Sequence, residues 1–366
     1  ILTTLNPKIL SKNIKEKVIG QNDAVNNVID SIVMMGVGLI DQNIPLNFYT
    51  AGPTGVGKNY LFEILSDELS KMFNTNVHYK EINCSSLKNE GAINQLIGSN
   101  KGYIESEEDS LLYKFYNKAK NCPFSVLLFD EFEKSHNNLI DFLLPILDKG
   151  KIYDNKENYL DFSGSLITFT SNIGYSNLRG NKRKNLGFSK NSIDDETDAR
   201  KEYILGEINK KFTPEFLNRL NIVHFNYLNN DSIDKIFDLE FNKIRKRLEN
   251  KHDVLIKYDK KLKNKIIENG FSKEYGARNI KNILNKNVAI PLAKHLHNDI
   301  KIDSKKSMEM IEYLNNLKKK INEDENNSFS RENVLKNVTG FINKNLDFSK
   351  ILIKYNKNDE LEFVKS

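Results

Sequence analysis

Residues 51–60 of the chain read AGPTGVGKNY, and this stretch indicates the class of fold to expect. Up to Lys58 it follows the pattern G-x-x-x-x-G-K of a phosphate-binding loop, whose backbone N–H groups close around phosphate oxygens. The apolar run NFYTA (47–51) precedes the loop as a predicted strand, and apolar residues at helical spacing follow it. This setting suits the chemistry, because the start of the helix adds a positive dipole end beside the phosphates.

The residue after Lys58 departs from the pattern. Asn59 stands where Ser or Thr would place a hydroxyl on the Mg²⁺ of a bound nucleotide. An amide oxygen is a neutral ligand that can still contact magnesium, so two interpretations remain open. The chain is either a working ATPase with a weakened Mg²⁺ site or a nucleotide-binding scaffold with little hydrolysis. The loop residues predicted to bind the nucleotide are Gly52, Pro53, Thr54, Gly55, Val56, Gly57, Lys58 and Asn59.

Two further apolar strands end in polar residues. FSVLLF (124–129) leads into Asp130 and Glu131, and LITFT (166–170) leads into Ser171 and Asn172. Asp130 suits a magnesium-orienting carboxylate, and Glu131 suits a base that activates water. Strands alternating with helices, with polar residues at the strand ends, predict an α/β fold. We expect a parallel sheet with helices on both faces and the ligand at its carboxyl edge.

The second half of the chain has a different character. A polar stretch from about 175 to 200 is predicted to be a long surface loop, and the chain beyond about residue 220 is mainly helical to about 298. A short strand is expected at 254–258, and the tail KILIKYNKNDELEFVK is typical of a hairpin. We therefore predict a large nucleotide-binding subdomain over 1–224, a small, mostly helical α+β subdomain over 225–366, and a charged insertion at about 301–345.

The composition of the chain bears on its partners and its compartment. The 55 basic and 49 acidic residues are interleaved, so the net charge of +6 predicts a solvated surface and no nucleic-acid partner. The apolar run 31–40 is too short to cross a bilayer, so no membrane partner is expected. Cys84 and Cys122 form no metal or disulfide pattern, which fits a reducing compartment. The chain lacks an initiator Met, and we expect it to be a fragment of a longer protein.

Seven short motifs occur in a characteristic order along the chain. They read VIGQNDAV, GPTGVGKN, LIGSNKGYIE, LLFDEFEKSH, TFTSNIG, FTPEFLNRL and YGARNIKNIL. In order and spacing they resemble the Clp-family AAA+ unfoldases, specifically a second AAA+ module of the ClpC type. The resemblance covers residue 13 to about 298 and the terminal hairpin.

The resemblance implies roles for five residues outside the loop. Val18 and Ile19 would border the adenine, and Asn172 would be the sensor that holds the attacking water. Arg219 would be an arginine finger that reaches the γ-phosphate of a neighbouring subunit, and Arg278 a second sensor. Charge spread over three phosphate oxygens calls for a planar, permanently charged group such as these arginines.

The resemblance also implies partners. Tyr103 aligns with the aromatic residue of a substrate-gripping pore loop, although Glu105 replaces the family's second glycine there. Leu186, Gly187 and Phe188 match a tripeptide with which peptidase-associated members dock on the ClpP peptidase ring, and which ClpB-type disaggregases lack. We therefore expect a homo-hexamer that acts on unfolded or tagged proteins. No peptidase nucleophile is apparent, so proteolysis would belong to ClpP.

Together with the resemblance, the residues favour an ATP-dependent unfoldase ring with ATP and Mg²⁺ as cofactors, the metal being contacted by Asn59 and Asp130. Asn279 in place of the family's Pro, and the absence of basic residues at 34–39, are further departures. The scaffold and a ClpB-like disaggregase independent of ClpP remain alternatives. An abundance of Asn, Lys and Ile, typical of an AT-rich genome, predicts an apicoplast-type plastid stroma, with a bacterial cytoplasm as the alternative.

Overall fold

The chain forms two compact units, Ile1–Asn229 and Asn230–Ser366, in the computed structural model. The structure describes residues 2–98, 109–175, 193–252, 254–272, 275–298, 312–313, 315–316, 350–356, 358 and 360–365. Tyr103, Leu186, Gly187, Phe188 and most of the predicted insertion 301–345 lie outside the described residues.

The first unit combines strands with helices in alternation. Its elements in chain order are α1 (Pro7–Lys15), α2 (Asn22–Gly36), β1 (Leu46–Ala51), α3 (Lys58–Phe73), β2 (His78–Asn83), α4 (Glu90–Ile97), α5 (Leu111–Ala119), β3 (Ser125–Asp130), α6 (Asn138–Lys149), β4 (Lys151–Tyr153), β5 (Tyr159–Asp161), β6 (Ser165–Ser171), α7 (Ile193–Lys211), α8 (Pro214–Leu217) and β7 (Asn221–His224).

Five of these strands form one parallel sheet in the order β2-β3-β6-β1-β7. In the register of the sheet, Ala51 lies opposite Ser171 and Phe129 lies opposite Phe169. The carboxyl ends of β1, β3 and β6 therefore lie side by side, which confirms the predicted parallel sheet. Residues 52, 130 and 172 follow or end these strands and share this edge.

Both faces of the sheet are covered by helices, as predicted. Successive residues of β1 alternate between two buried clusters, with Phe48 in one and Tyr49 in the other. The Phe48 side packs against α1, α2 and α3, and the Tyr49 side packs against α5, α6, α7 and α8. This double burial explains why the strands read as nearly continuous apolar runs.

A set of five phenylalanines, here called the aromatic cluster, lies within the Tyr49 side of the core. Its members are Phe129, Phe132, Phe169, Phe212 and Phe216. The ring of Phe132 lies 4.5 Å from that of Phe169 and 5.4 Å from that of Phe216, centroid to centroid. Because all five side chains are buried, the cluster fixes the turn after β3 against the segment that contains α8.

The second unit is mainly helical. It contains α9 (Asn230–His252), β8 (Leu255–Tyr258), α10 (Lys260–Gly270), α11 (Arg278–Leu284), a π-helical turn (Asn285–Ala289), α12 (Ile290–Asn298), β9 (Lys350–Tyr355) and β10 (Leu361–Lys365). Its sheet has the order β10-β9-β8, with β9 and β10 antiparallel. The predicted terminal hairpin and the short strand near 254–258 are therefore confirmed.

Two predictions of secondary structure are wrong. Strand β7 (Asn221–His224) lies where the sequence predicts helix beyond about residue 220. Helix α7 begins at Ile193, inside the stretch 175–200 that the sequence predicts to be loop. Its first half, IDDETDAR, has almost no apolar residues and therefore shows no helical periodicity. A sequence rich in acidic residues nevertheless favours the start of a helix, because the N-terminal end of the helix dipole is positive. None of the helices in the described part of the chain combines the length and the apolar character that a membrane span requires.

Candidate functional site

The glycine loop between β1 and α3 has a backbone that only glycine adopts without strain. Gly55 and Gly57 have φ angles of 73° and 104°. A Cβ atom at Gly52 would lie 2.6 Å from Cβ of Phe225, so this position has no room for a side chain. Among the described residues, no hydrogen-bond acceptor is found for the main-chain N–H groups of Gly55, Val56 and Gly57. The loop is thus a cradle of free donors that fits phosphate oxygens.

The lysine of the loop folds back over it. Nζ of Lys58 donates hydrogen bonds to the carbonyl oxygens of Gly52 at 2.7 Å and Pro53 at 2.8 Å. Burial lowers the pKa of Lys58 to about 8, and the negative charge of Glu133 opposes this shift most strongly. A phosphate would offer the ammonium group charged oxygens in place of these carbonyls, so the residue fits its predicted role.

A threonine organises the acidic turn after β3. The hydroxyl of Thr170 donates to Oδ1 of Asp130 at 2.6 Å and accepts the N–H of Glu131 at 3.3 Å. Glu131 has a φ of 54°, a left-handed conformation that is strained for a residue with a Cβ atom. Its carboxylate pairs with Lys134 at 2.8 Å. Thr170 carries no motif of its own in the sequence, although its place at the end of β6, the strand beside β3, is a usable signal.

Asn172 is the first residue after β6 and is partly exposed at the same edge of the sheet. The neighbouring Glu133, also missed from the sequence, has both carboxylate oxygens buried. Neither oxygen forms a hydrogen bond of ordinary geometry with a described residue. Burial raises the pKa of Glu133, and the nearby Ser171 hydroxyl and Asn172 backbone reduce this shift only in part. The edge therefore gathers three acidic side chains around the lysine.

The segment predicted to border the adenine is attached to the loop by a glutamine. Gln21, which is 1% exposed, accepts the N–H of Asn226 at 2.9 Å and donates to its carbonyl oxygen at 3.0 Å. The same amide donates to the carbonyl oxygen of Val56 at 3.4 Å. Val18 is buried nearby, with Cγ1 3.9 Å from the position of a Cβ at Gly57. Gln21 belongs to the VIGQ motif, but the sequence alone does not reveal these hydrogen bonds.

Magnesium would have few protein ligands here. The described residues contain no group of three or more His, Cys, Asp or Glu side chains that could hold a metal by themselves. Asn59, the second residue of α3, supplies a neutral amide oxygen, and Asp130 supplies a carboxylate. This oxygen-only set is typical of Mg²⁺, which is usually bound by one or two protein groups together with phosphates and water.

The two predicted arginines lie in different units. Arg219 follows α8 in the first unit, and its guanidinium group contacts Asp148 and Glu215. Arg278 is the exposed first residue of α11 in the second unit. Asn279, which replaces the proline expected from the resemblance, is exposed beside it.

Two family models match the chain. Residues 45–223 match an AAA domain of the Cdc48 subfamily, and residues 228–308 match the C-terminal D2-small domain of the ClpB protein. The match boundaries place the phosphate-binding loop, the acidic turn and Arg219 in the first of these domains and Arg278 in the second.

Curated relatives and a solved structure agree with these matches. The chain is 34% identical over 307 residues to the ATP-dependent Clp protease ATP-binding subunit ClpC of Staphylococcus aureus (strain USA300), a match that covers 83% of the chain and 36% of the relative. The corresponding protein of Staphylococcus epidermidis (strain ATCC 12228 / FDA PCI 1200) is 34% identical over 298 residues, covering 81% of the chain and 35% of the relative. The chain thus spans about a third of the length of these relatives.

An electron cryomicroscopy reconstruction of Hsp104 in a closed state, with ATPγS and FITC casein, matches the fold with a TM-score of 0.65 and 28% identity. The match covers 80% of the chain and 48% of the Hsp104 chain.

Proposed function

We propose that this chain, which belongs to the Clp family of AAA+ proteins, hydrolyses ATP and uses the energy to unfold polypeptides. The observation that carries this proposal is the convergence of Lys58, Asp130, Glu131 and Asn172 at one edge of a parallel sheet. A chain that had lost hydrolysis would have no chemical use for a water-activating glutamate beside a phosphate cradle.

Each residue has a separate task in this mechanism. The free N–H groups of the loop and the ammonium of Lys58 bind the phosphates, while Val18 and Ile19 border the base. Glu131 accepts a proton from the attacking water, which Asn172 orients. When bound, the magnesium ion neutralises charge on the phosphate oxygens, and Asn59 and Asp130 would contact it.

Two arginines complete the site in this proposal. Arg219 reaches the γ-phosphate bound by a neighbouring copy, so the active assembly is a ring, for which we infer six subunits. Arg278 responds to the nucleotide from the small domain. Both guanidinium groups stabilise charge that spreads over the phosphoryl oxygens during transfer.

Substrate handling is assigned to Tyr103, whose flat ring can press on any polypeptide without recognising its sequence. Leu186, Gly187 and Phe188 are proposed to dock on ClpP, since two apolar side chains in an otherwise hydrophilic segment gain from a partner's cleft. We expect Phe188→Ala to stop ClpP-dependent degradation while sparing ATP turnover, measured by casein degradation and phosphate release. Retention of ClpP at wild-type strength would count against this partner.

The location is proposed from composition. The relatives are bacterial, and the AT-rich bias of the residues favours an apicoplast-type plastid, whose stroma descends from a bacterial cytoplasm. Imaging of the tagged protein tests this, and a signal in a secretory compartment would exclude both a plastid and a bacterial cytoplasm.

Two alternatives rest on specific observations. Asn59 favours a scaffold that holds nucleotide with little turnover, because it removes the hydroxyl ligand of magnesium. The match of the small domain to that of ClpB favours a disaggregase that works without ClpP. The ATPase of the peptidase-associated type is preferred because the residues that activate water are intact and the tripeptide 186–188 is present.

The deciding experiment is ATP turnover by the purified chain with and without Mg²⁺, beside Glu131→Gln. We expect wild-type turnover to depend on Mg²⁺, and the variant to bind ATP but lose turnover by about 10²-fold or more. Equal inactivity of both proteins over a wide range of magnesium concentrations would support the scaffold instead.

A further inference from the structure

The arginine predicted to act on a neighbouring subunit is already fixed within its own chain. Nε of Arg219 donates to Oδ1 of Asp148, and Nη1 donates to the main-chain carbonyl oxygen of Glu215. Nη2 lies 3.6 Å from Oε1 of Glu215. The side chain of Arg219 is 25% exposed, so these contacts hold a half-buried group and not a free surface arginine.

The contacts leave part of the guanidinium group available. The group carries five N–H donors in a planar fork, two of them on each terminal nitrogen. Asp148 occupies the single donor on Nε, and the carbonyl oxygen of Glu215 occupies one donor of Nη1, while the Glu215 carboxylate lies at ion-pair distance from Nη2. Among the described residues, no further acceptor is found for the remaining N–H groups of the two terminal nitrogens, which leaves donors for phosphate oxygens.

Asp148 is better placed than Glu215 to orient this fork. It is the penultimate residue of α6, directly after the buried Leu147. The carbonyl oxygen of Leu147 accepts a hydrogen bond at 3.0 Å from the side-chain amide of Asn47 on β1, which ties this end of the helix to the sheet. The carboxylate of Glu215, in contrast, belongs to a side chain that is 64% exposed.

The backbone of Arg219 is fixed as well as its side chain. Phe216, two positions after Pro214 at the start of α8, is buried in the aromatic cluster, and the N–H of Arg219 donates to its carbonyl oxygen at 3.2 Å. The backbone that carries Arg219 is thus anchored, and only the long side chain remains to be oriented. An oriented side chain does not have to lose its rotamer freedom when the reaction occurs.

We propose that Asp148 is a positioning residue that holds the Arg219 guanidinium ready for the γ-phosphate of a neighbouring copy. This inference rests on the proposed function, in which Arg219 acts in trans. The opposite assignment is that Asp148 restrains the arginine and must release it, and the two assignments predict opposite changes in turnover when the carboxylate is removed.

The first test compares Asp148→Asn with Glu215→Gln in the full chain, with thermal unfolding as a check of folding. For Asp148→Asn we expect kcat for ATP to fall by about tenfold or more while KM changes by less than about twofold, because the residue acts on the transition state alone. For Glu215→Gln we expect a smaller loss, since the main-chain contact persists. A rise in kcat with Asp148→Asn would overturn the proposal in favour of restraint.

The second test uses mixed rings. Glu131→Gln subunits lack the water-activating carboxylate but keep a positioned arginine. Asp148→Asn subunits keep the carboxylate but lack a positioned arginine. In an equimolar mixture, Glu131→Gln subunits supply a positioned arginine to Asp148→Asn sites, so turnover should exceed the mean of the two variants alone. A local structural defect at Asp148 would give no such gain, and additive turnover would overturn the proposal.

These measurements distinguish failure of the proposed function from failure of the role of Asp148. A wild-type chain without ATP turnover would overturn the proposed function and this inference with it. A wild-type chain that turns over ATP, with Asp148→Asn equally active, would overturn this inference alone.

Discussion

At the scale of single residues, the least expected feature is Asn59 at the second position of α3. The amide oxygen of asparagine is a weaker magnesium ligand here than the hydroxyl of serine or threonine would be, and the asparagine side chain is bulkier. The neighbouring groups are unaffected by this difference, since Thr170 still orients Asp130 and the acidic turn. We therefore expect the departure to affect the affinity for magnesium and not Glu131, the carboxylate proposed to activate water.

We predict that Asn59→Thr lowers the Mg²⁺ concentration for half-maximal ATP turnover by roughly tenfold, the lower end of the changes that metal-site mutations cause. The hydroxyl would restore a compact oxygen ligand. Titration of turnover against Mg²⁺ measures this, with Asn59→Val as a control that has the shape of threonine without its hydroxyl. If valine and threonine had the same effect, the change would be due to shape and not to metal binding.

At the scale of elements, α3 is joined to α1 by a buried carboxylate. Glu68 of α3 is 4% exposed and accepts hydrogen bonds from Asn13, Lys17 and Lys71 at 2.9, 2.6 and 2.8 Å. Burial alone would raise its pKa, but these hydrogen bonds outweigh burial and lower the pKa to about 2. Since Lys17 directly precedes Val18, the network also fixes the segment proposed to border the adenine.

This network makes a testable contribution to stability. Because the pKa of Glu68 is lower in the folded than in the unfolded chain, its contribution is present above pH 4.5 and is lost as the pH falls towards about 2. We predict that Glu68→Gln lowers the free energy of unfolding by about 3 kcal/mol at neutral pH, and by progressively less below the unfolded pKa. Urea unfolding measures this, with the exposed Glu63 on the same helix as the matched control, Glu63→Gln. A loss independent of pH would assign the effect to packing.

Particular elements show what the sequence could and could not predict. The glycine loop and the apolar strands were predictable, because a phosphate cradle needs glycine and a doubly covered strand needs apolar residues on both faces. The first half of α7 was not, because its charged residues carry no periodicity. Thr170 and Gln21 were missed because their roles depend on strands and turns that are distant in sequence, as the hydrogen bonds between Gln21 and Asn226 illustrate.

At the scale of the whole molecule, the chain matches an AAA domain followed by a D2-small domain, and it spans about a third of the length of its curated relatives. In the proposed function, hydrolysis and substrate handling belong to different segments of one chain. The nucleotide residues lie at the sheet edge, whereas Tyr103 belongs to the segment between α4 and α5. This division can be tested by uncoupling one activity from the other.

We predict that Tyr103→Ala leaves basal ATP turnover within about twofold of wild type while stopping the unfolding of a folded substrate, because the ring is proposed to contact polypeptide and not nucleotide. Tyr103→Phe keeps the ring and should retain unfolding. Loss of fluorescence from a tagged folded protein, recorded beside phosphate release, measures both activities. Parallel loss of both would mean that Tyr103 supports the fold instead.

In the proposed ring of subunits, the aromatic cluster would give communication between neighbours a direction. Phe132 directly follows Glu131, and Phe216 lies three positions before Arg219, with their rings 5.4 Å apart in a close-packed core. In the proposed ring, the acidic turn of one subunit and the arginine proposed to reach the next subunit would therefore rest on one packed aromatic cluster. A shift of the acidic turn when phosphate leaves would be transmitted to the neighbouring subunit on one side only. We therefore expect the subunits to hydrolyse ATP one after another around the ring of subunits. If ATP turnover rises with ATP concentration without cooperativity, the subunits hydrolyse ATP independently and this expectation is wrong.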